Sequence, residues 1–188
     1  LAVRLKDRRL IAAAAAERGA QVRLVAGPVA LPTPPGVQRI DIESAAQLAE
    51  RVLAAQAVGD LDAVIMTAAV ADFRPAQVAA QKLKKNTLSA GLTVQLEPTL
   101  DVLAELGRRR GDARQPLLVG FAAETHDVVS YARGKLEKKG CDVVVANDVS
   151  EPGSGFGADD NRVTIIRRAT QAGGEPDVPR GGERGREG

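Results

Sequence analysis

The chain has 188 residues, enough to bury one hydrophobic core, and we expect a single domain. A formal net charge of +2 disfavours a nucleic-acid or membrane partner, and the single cysteine, Cys141, excludes an internal disulfide. Aromatic residues make up only 2%, so valine, leucine, isoleucine and alanine must form the core, which suits a parallel sheet covered on both faces. With neither a long apolar span nor a signal-peptide pattern recognisable, we expect a cytoplasmic protein.

The first predicted elements are a helix followed by a strand. Leu10–Arg18 is alanine-rich and predicts a helix that ends at Gly19, and the apolar segment Val22–Ala26 predicts the strand. A helix followed by a strand is half of a βαβ unit. The strand that should precede this helix is not recognisable in Leu1–Arg9. The proline-rich segment Leu31–Gly36 predicts a rigid loop.

The next elements lead to the strand that we expect at the centre of the sheet. Val37–Ile42 predicts an edge strand, and Ser44 is a good N-cap for a helix over Ala45–Ala55. Leu61–Ala69 is the strongest candidate for a central strand. It runs into Met66–Pro75, where small residues, one carboxylate and one arginine are typical of a strand end that opens into a ligand crevice.

The second half of the chain continues the alternation of strands and helices. Its predicted elements are a strand marked by Leu92, Val94 and Leu96, a helix over Leu100–Leu106 capped by Thr99, a basic turn over Gly107–Gln115, a strand over Leu117–Phe121, a helix over Val128–Lys139, and strands over Cys141–Ala146 and Val163–Ile166. The alternation predicts an α/β fold with a mostly parallel sheet. We expect a domain over residues 1–168 and a disordered tail rich in Gly, Arg and Glu over 169–188.

Three of the predicted strands end in small or polar residues, in Ala68–Asp72, Phe121–Thr125 and Asn147–Asp148. If these strands are neighbours, their ends converge on one crevice. Cations that could meet phosphates there are Lys82, Lys84 and Lys85 on a loop, and Lys135 with Lys139 one helical turn apart. Solvated surface lysines are the alternative for all five. No cluster of metal ligands is recognisable, and the lone His126 is expected to be structural or solvated.

Seven blocks of sequence, taken together, carry a family resemblance. They are Leu24–Pro28, Leu31–Pro35, Ala68–Pro75, Lys82–Lys85, Val119–Thr125, Ala146–Ser150, and Gly155–Phe156 with Asp159 and Asn161. In this order and with these gaps, the chain from about Leu10 to Ile166 resembles phosphopantothenoylcysteine synthetase (phosphopantothenate–cysteine ligase). In bacteria that enzyme is usually the C-terminal half of a bifunctional protein with a flavin-dependent decarboxylase. The resemblance implies a Rossmann-like three-layer fold.

The resemblance also implies a reaction and a site. The carboxylate of 4′-phosphopantothenate would attack the α-phosphate of CTP, and the amine of cysteine would then attack the resulting acyl-cytidylate. The implied cofactors are CTP as co-substrate and Mg²⁺, with FMN only where a decarboxylase domain is fused, and the implied assembly is a homodimer that completes the site. The family's pattern makes Lys82 the catalytic loop lysine and assigns the nucleotide to Met66, Thr67, Ala68, Asp72, Lys82, Thr99, Leu100, Asp101, Val102, Phe121, Lys135 and Lys139.

The sequence departs from the family's pattern in two places. Leu100 stands where the family usually has proline. Nothing in Leu1–Arg9 matches the family's first strand and its Gly/Ser-rich loop with a catalytic asparagine, so we expect the fold to lack both. Two alternatives remain open: a nucleotide-binding module without catalysis, and a Rossmann-type NAD(P)-dependent oxidoreductase, since Tyr131 and Lys135 have the Tyr-x-x-x-Lys spacing.

Overall fold

The computed structural model describes residues 9–83, 91–124, 127–148 and 163–168. The elements are α1 (Arg9–Glu17), β1 (Val22–Ala26), β2 (Val37–Asp41), α2 (Ala45–Val58), β3 (Ala63–Met66), β4 (Phe73–Pro75), β5 (Leu96–Pro98), α3 (Val102–Arg110), β6 (Leu117–Glu124), α4 (Val128–Lys139), β7 (Val143–Asp148) and β8 (Val163–Arg167). The predictions for Lys84, Lys85, His126, the glycine-rich block around 155–161 and the tail 169–188 lie outside the described residues.

The principal sheet has four strands in the order β3-β6-β7-β8, of which the first three run parallel and β8 runs antiparallel. A separate parallel pair is formed by β1 and β2. The prediction of an α/β fold with a mostly parallel sheet is therefore confirmed. Among the described residues, β1 and β3 each keep one edge without a partner strand.

The strand predicted to be central is shorter and less buried than expected. Within Leu61–Ala69 only Ala63–Met66 is β-structure, and in the described part of the sheet this strand, β3, lies at an edge. Ile65 on β3 is 44% exposed. The apolar run correctly predicts a strand. It does not determine whether that strand is central, because the position of a strand in the sheet depends on its partner strands.

The hydrophobic core lies between the four-stranded sheet and helices α2, α3 and α4. Leu106 on α3, Leu118 on β6 and Val144 on β7 are essentially inaccessible to solvent, and they pack in one cluster with Cys141. Cys141 is fully buried, and burial raises the pKa of its thiol.

Local signals define α2 well. The Ser44 hydroxyl accepts a hydrogen bond from the Gln47 N–H, and the Gln47 side chain accepts one from the Ser44 N–H, which together form a capping box. The helix ends at Gly59, whose φ of 80° is left-handed and is readily adopted only by glycine. The helix predicted over Ala45–Ala55 is thus confirmed and extends three residues further, to Val58.

The bounds predicted for α3 were wrong at both ends. Asp101, not Thr99, is the N-cap, because its carboxylate accepts a hydrogen bond of 3.0 Å from the Ala104 N–H. The helix continues to Arg110, into the first four residues of the segment Gly107–Gln115 that was predicted as a basic turn. Arg108 and Arg109 both donate to the Glu105 carboxylate, which lowers the pKa of Glu105 to about 2 and joins neighbouring turns of the helix.

One buried arginine links α3 to the amino-terminal ends of β6 and β7. The Arg110 side chain is only 3% exposed, and both of its terminal nitrogens donate to the Asp142 carboxylate. The same carboxylate accepts a hydrogen bond of 2.7 Å from the Leu118 N–H. Burial acts to raise the pKa of Asp142, but the hydrogen bonds from Arg110 and Leu118 outweigh it and lower the pKa. This network lies at the end of the strands opposite to their carboxyl ends.

A two-stranded antiparallel ribbon formed by β4 and β5 was not predicted. Phe73 pairs with Pro98 and Pro75 with Leu96, and Arg74 forms an exposed ion pair with Glu97. The strand expected from the alternation of Leu92, Val94 and Leu96 includes only the last of these residues. The ribbon follows the small residues after β3, so it adjoins the carboxyl ends of the sheet.

Candidate functional site

A cavity of about 390 Å³ opens at the carboxyl end of β3, beside the middle of β6. This volume is within the range typical of sites for small molecules and cofactors. The lining residues come from five parts of the chain: Met66, Ala68, Ala69, Val70, Ala71, Asp72, Thr99, Leu100, Asp101, Val102, Leu103, Gly120, Phe121, Lys135, Lys139 and Val144. In parallel sheets ligands bind at this end of the strands, so the cavity is the candidate site.

The floor of the cavity consists of small and apolar groups. Met66 is the last residue of β3, and it pairs with Gly120 on β6. A Cβ atom on Gly120 would lie 2.7 Å from Leu103 Cδ2, so glycine allows α3 to lie close over this strand. The next residue, Phe121, presents a partly buried ring to the same space. This floor can accept a planar ring or other apolar group.

The ribbon brings two separate segments together at the wall of the cavity. The Thr99 N–H donates a hydrogen bond of 2.8 Å to the Asp72 carbonyl, immediately beyond the paired residues Phe73 and Pro98. The segment that follows β3 is therefore joined to the segment that enters α3. Asp72 is exposed and lines the cavity, where its carboxylate can accept hydrogen bonds from ligand hydroxyl groups.

Two lysines on α4 give the cavity its cationic side. Ala132 and Leu136 bury one face of α4 in the core, and Lys135 and Lys139, four residues apart, share a neighbouring face that lines the cavity. The Lys139 ammonium forms an ion pair with the Asp101 carboxylate at the amino end of α3. Two ammonium groups and a helix N-terminus are suited to an anionic ligand such as a phosphate chain.

The structure brings most of the predicted site residues together. Ten of the twelve line this one cavity: Met66, Ala68, Asp72, Thr99, Leu100, Asp101, Val102, Phe121, Lys135 and Lys139. Thr67 lies on the same segment but is not among the lining residues. Lys82 is exposed and also does not line the cavity of its own chain. The ligand roles of all twelve residues stay predictions.

Three of the lining residues, Leu103, Gly120 and Val144, were not assigned to the crevice or to the nucleotide site from the sequence. Gly120 could have been found, because a glycine inside an apolar strand often marks close approach of a neighbouring group. Leu103 and Val144 are ordinary core-type residues without a sequence signal of their own.

The three strands whose ends were predicted to converge are neighbours in one sheet. β3, β6 and β7 are parallel neighbours, and Glu124 at the end of β6 pairs with Asp148 at the end of β7. Within the ranges that the structure describes, no group of three or more His, Cys, Asp or Glu side chains is placed to hold a metal ion. None of the described helices is long and apolar enough to cross a membrane.

The fold and the cavity define a Rossmann-like α/β domain with a candidate small-molecule site at the carboxyl end of β3 in its principal sheet. The chain belongs to the family described as the C-terminal domain of DNA/pantothenate metabolism flavoproteins, whose model matches residues 8–179.

Curated relatives agree with this family. The chain is 48% identical over 156 residues to the coenzyme A biosynthesis bifunctional protein CoaBC of Vibrio parahaemolyticus, which covers 83% of this chain and 38% of the relative. It is 48% identical over 157 residues to the protein of the same name from Bacillus subtilis, covering 83% of this chain and 37% of that relative. The chain thus spans well under half the length of these relatives.

Solved structures share the fold. A crystal structure of the C-terminal domain of CoaBC superposes with a TM-score of 0.65 at 38% identity, covering 85% of this chain and 67% of that one. The DNA/pantothenate metabolism flavoprotein from Streptococcus pneumoniae gives a TM-score of 0.61 at 22% identity, covering 87% of this chain and 76% of that one, and supports the fold alone.

Proposed function

We propose that this domain is a ligase of coenzyme A biosynthesis that joins 4′-phosphopantothenate to cysteine at the expense of CTP. The names of its relatives support the pathway, and the resemblance of the sequence blocks supports the reaction. The observation that carries the proposal is that ten of the twelve residues expected to hold the nucleotide line a single cavity.

The proposed placement of CTP follows the chemistry of the cavity lining. The cytosine ring lies over the apolar floor near Phe121, where ring stacking is favourable. The ribose hydroxyls donate to the Asp72 carboxylate. The phosphates lie between the α4 lysines, Lys135 and Lys139, and the amino end of α3, where backbone N–H groups and the helix dipole favour negative charge.

The proposed reaction has two steps. A carboxylate oxygen of 4′-phosphopantothenate attacks the α-phosphorus of CTP, and the bond to the leaving pyrophosphate breaks. The amine of cysteine then attacks the acyl carbon, loses a proton and displaces CMP, which leaves an amide. Ammonium groups around the phosphates lower the energy of both charged transition states, and Mg²⁺, when bound, neutralises further phosphate charge.

The lining residues are compatible with a Mg²⁺ ion that arrives with the nucleotide. Mg²⁺ in such sites keeps several waters and uses phosphate oxygens with only one or two protein carboxylates. The cavity offers two carboxylates, Asp72 and Asp101, of which Asp101 is already engaged by Lys139 and by the Ala104 N–H. Asp72 is therefore the carboxylate that would meet the ion. One of its two oxygens would accept from a water of the ion, while the other accepts from the ribose hydroxyls. FMN and a decarboxylase domain enter the proposal only for a longer polypeptide.

We also propose that a homodimer completes the site and that each chain supplies Lys82 to the cavity of its partner. Lys82 does not line its own cavity. Apolar side chains are exposed on the ribbon, where Phe73 is 58% and Leu96 is 55% exposed, and on the segment between the ribbon and Lys82, where Val78 is 90% exposed. A second copy that covers these side chains would remove apolar surface from water.

A complementation experiment tests the shared site. We expect Lys82→Gln and Asp72→Asn homodimers each to have little activity. In mixed dimers one site regains both native groups, so combining the two variants should restore up to roughly half of the native activity per mixed dimer, as simple counting of sites requires. If Lys82 acts within its own chain, no site in the mixture is intact and activity stays absent.

CTP binding can be separated from catalysis by calorimetry. The ligase proposal predicts binding of CTP that Asp72→Asn weakens, together with turnover that Lys82→Gln abolishes. CTP binding without any turnover of the native chain would favour a nucleotide-binding module instead. Binding of NAD(H) in place of CTP would favour the oxidoreductase alternative.

A further inference from the structure

Asp101 uses its two carboxylate oxygens for different tasks. One oxygen accepts a hydrogen bond of 3.0 Å from the Ala104 N–H and caps α3. The other forms an ion pair with the Lys139 ammonium. The Asp101 side chain is 43% exposed and that of Lys139 is 24% exposed, and both residues line the candidate site. The negative charge of Asp101 thus lies beside a cation that an anionic ligand would use.

Close packing of α3 and α4 places Lys139 within reach of Asp101. A Cβ atom on Gly107 would lie 2.2 Å from the Lys139 carbonyl oxygen, so only glycine lets the two helix backbones approach this closely. At the same contact, Gly140 ends α4 with a left-handed φ of 60°. The backbone of Lys139 is therefore fixed against the middle of α3, and its side chain extends to the amino end of the same helix.

We propose that Asp101 is a positioning residue that competes with phosphate groups for Lys139. In the free protein its carboxylate holds the ammonium at the cavity, and an incoming phosphate has to replace that carboxylate. The inference rests on the proposed function only for the identity of the phosphate, which would belong to the nucleotide. The ion pair itself is a property of the free chain.

Asparagine at this position separates the two tasks. Asn is as good an N-cap as Asp, so Asp101→Asn should keep α3 and the melting temperature intact while removing the negative charge. We expect Asp101→Asn to bind pyrophosphate roughly twofold to fivefold more tightly than the native chain, the factor that corresponds to a partly exposed ion pair. In a Lys139→Gln background the same change should give at most a small part of this gain.

A labelling experiment tests the ion pair without any ligand. The native chain and Asp101→Asn are treated briefly with an acetylating reagent, and mass spectrometry gives the modification of Lys139 relative to its neighbour Lys138. Release from Asp101 should raise the relative modification of Lys139 about twofold or more, in line with loss of one ion pair. An unchanged ratio would overturn the proposal.

The pyrophosphate titration can also contradict the proposed competition for Lys139. Weaker or unchanged pyrophosphate binding by Asp101→Asn at an unchanged melting temperature would overturn the competition, as would an equal gain in the Lys139→Gln background. Failure of the proposed function is a separate result, in which the native chain does not bind CTP although Asp101→Asn still raises the labelling of Lys139.

Discussion

Gly107→Ala is the substitution whose effect the structure predicts most sharply. The added methyl group would lie 2.2 Å from the Lys139 carbonyl oxygen and 3.1 Å from both Cα and the carbonyl oxygen of Gly140. All three atoms belong to the backbone, so no change of rotamer relieves the overlap, and α3 and α4 have to move apart. The change therefore perturbs both the core and the position of Lys139.

Two opposing terms set the magnitude. Overpacking costs about 1–3 kcal/mol, and an overlap with backbone atoms belongs to the upper part of that range, about 2–3 kcal/mol. Replacing glycine by alanine inside a helix stabilises the helix by up to about 1 kcal/mol. We therefore expect a net loss of about 1–2 kcal/mol, which for a chain of this size lowers the melting temperature by about 2–8 °C.

Gly134→Ala on α4 is the matched control. Gly134 is also inside a helix, but a Cβ atom there would meet nothing within 4 Å. This substitution should raise the free energy of unfolding by about 0.5–1 kcal/mol, the helix-propensity term alone. Urea denaturation of the two variants compares them directly. If Gly107→Ala proves as stable as Gly134→Ala, the predicted close contact of α3 with α4 is refuted.

Two further predictions concern stability. Asp142→Asn leaves the buried Arg110 guanidinium without its anion and should cost about 3 kcal/mol at pH 7. The pKa of Asp142 is lower in the folded than in the unfolded chain, so its contribution to stability is complete above the unfolded pKa and is lost as pH falls through the folded pKa. In thermal melts the stabilities of the native chain and of the variant should therefore converge below about pH 4. A stability difference that does not change with pH would contradict this. Ser44→Ala removes the α2 capping box and should cost about 1 kcal/mol in urea denaturation, whereas Ser44→Asp should cost little; equal losses in both variants would contradict the role of the cap.

The order of helices and strands was predictable because the local signals are strong. Ser44 and Gly59 mark the ends of α2, and the apolar runs at Val22–Ala26 and Leu117–Phe121 both form strands. The ends of α3 were misjudged because Thr99 and Asp101 are both good caps, and only the folded chain shows which carboxylate or hydroxyl meets a free N–H. The β4–β5 ribbon has no such local signal, since each strand is only three residues long.

Much of the candidate site was predictable from the family resemblance, and less of it from physics alone. Small residues after β3 and the spacing of Lys135 and Lys139 indicated a crevice with cations on one side. Sequence could not show that Asp101 both caps α3 and pairs with Lys139, because that contact depends on how closely two helices pack. It also could not show that Lys82 lies outside the cavity of its own chain.

The measurement that tests the central claim most directly is the release of CMP and pyrophosphate from CTP. We predict that both form in equal amounts only when 4′-phosphopantothenate is present, and that CMP release and continued turnover also require cysteine. Substitution of Asp72, which lines the cavity, should reduce both products together. Absence of both products from a folded chain supplied with all three substrates would contradict the assignment as a ligase.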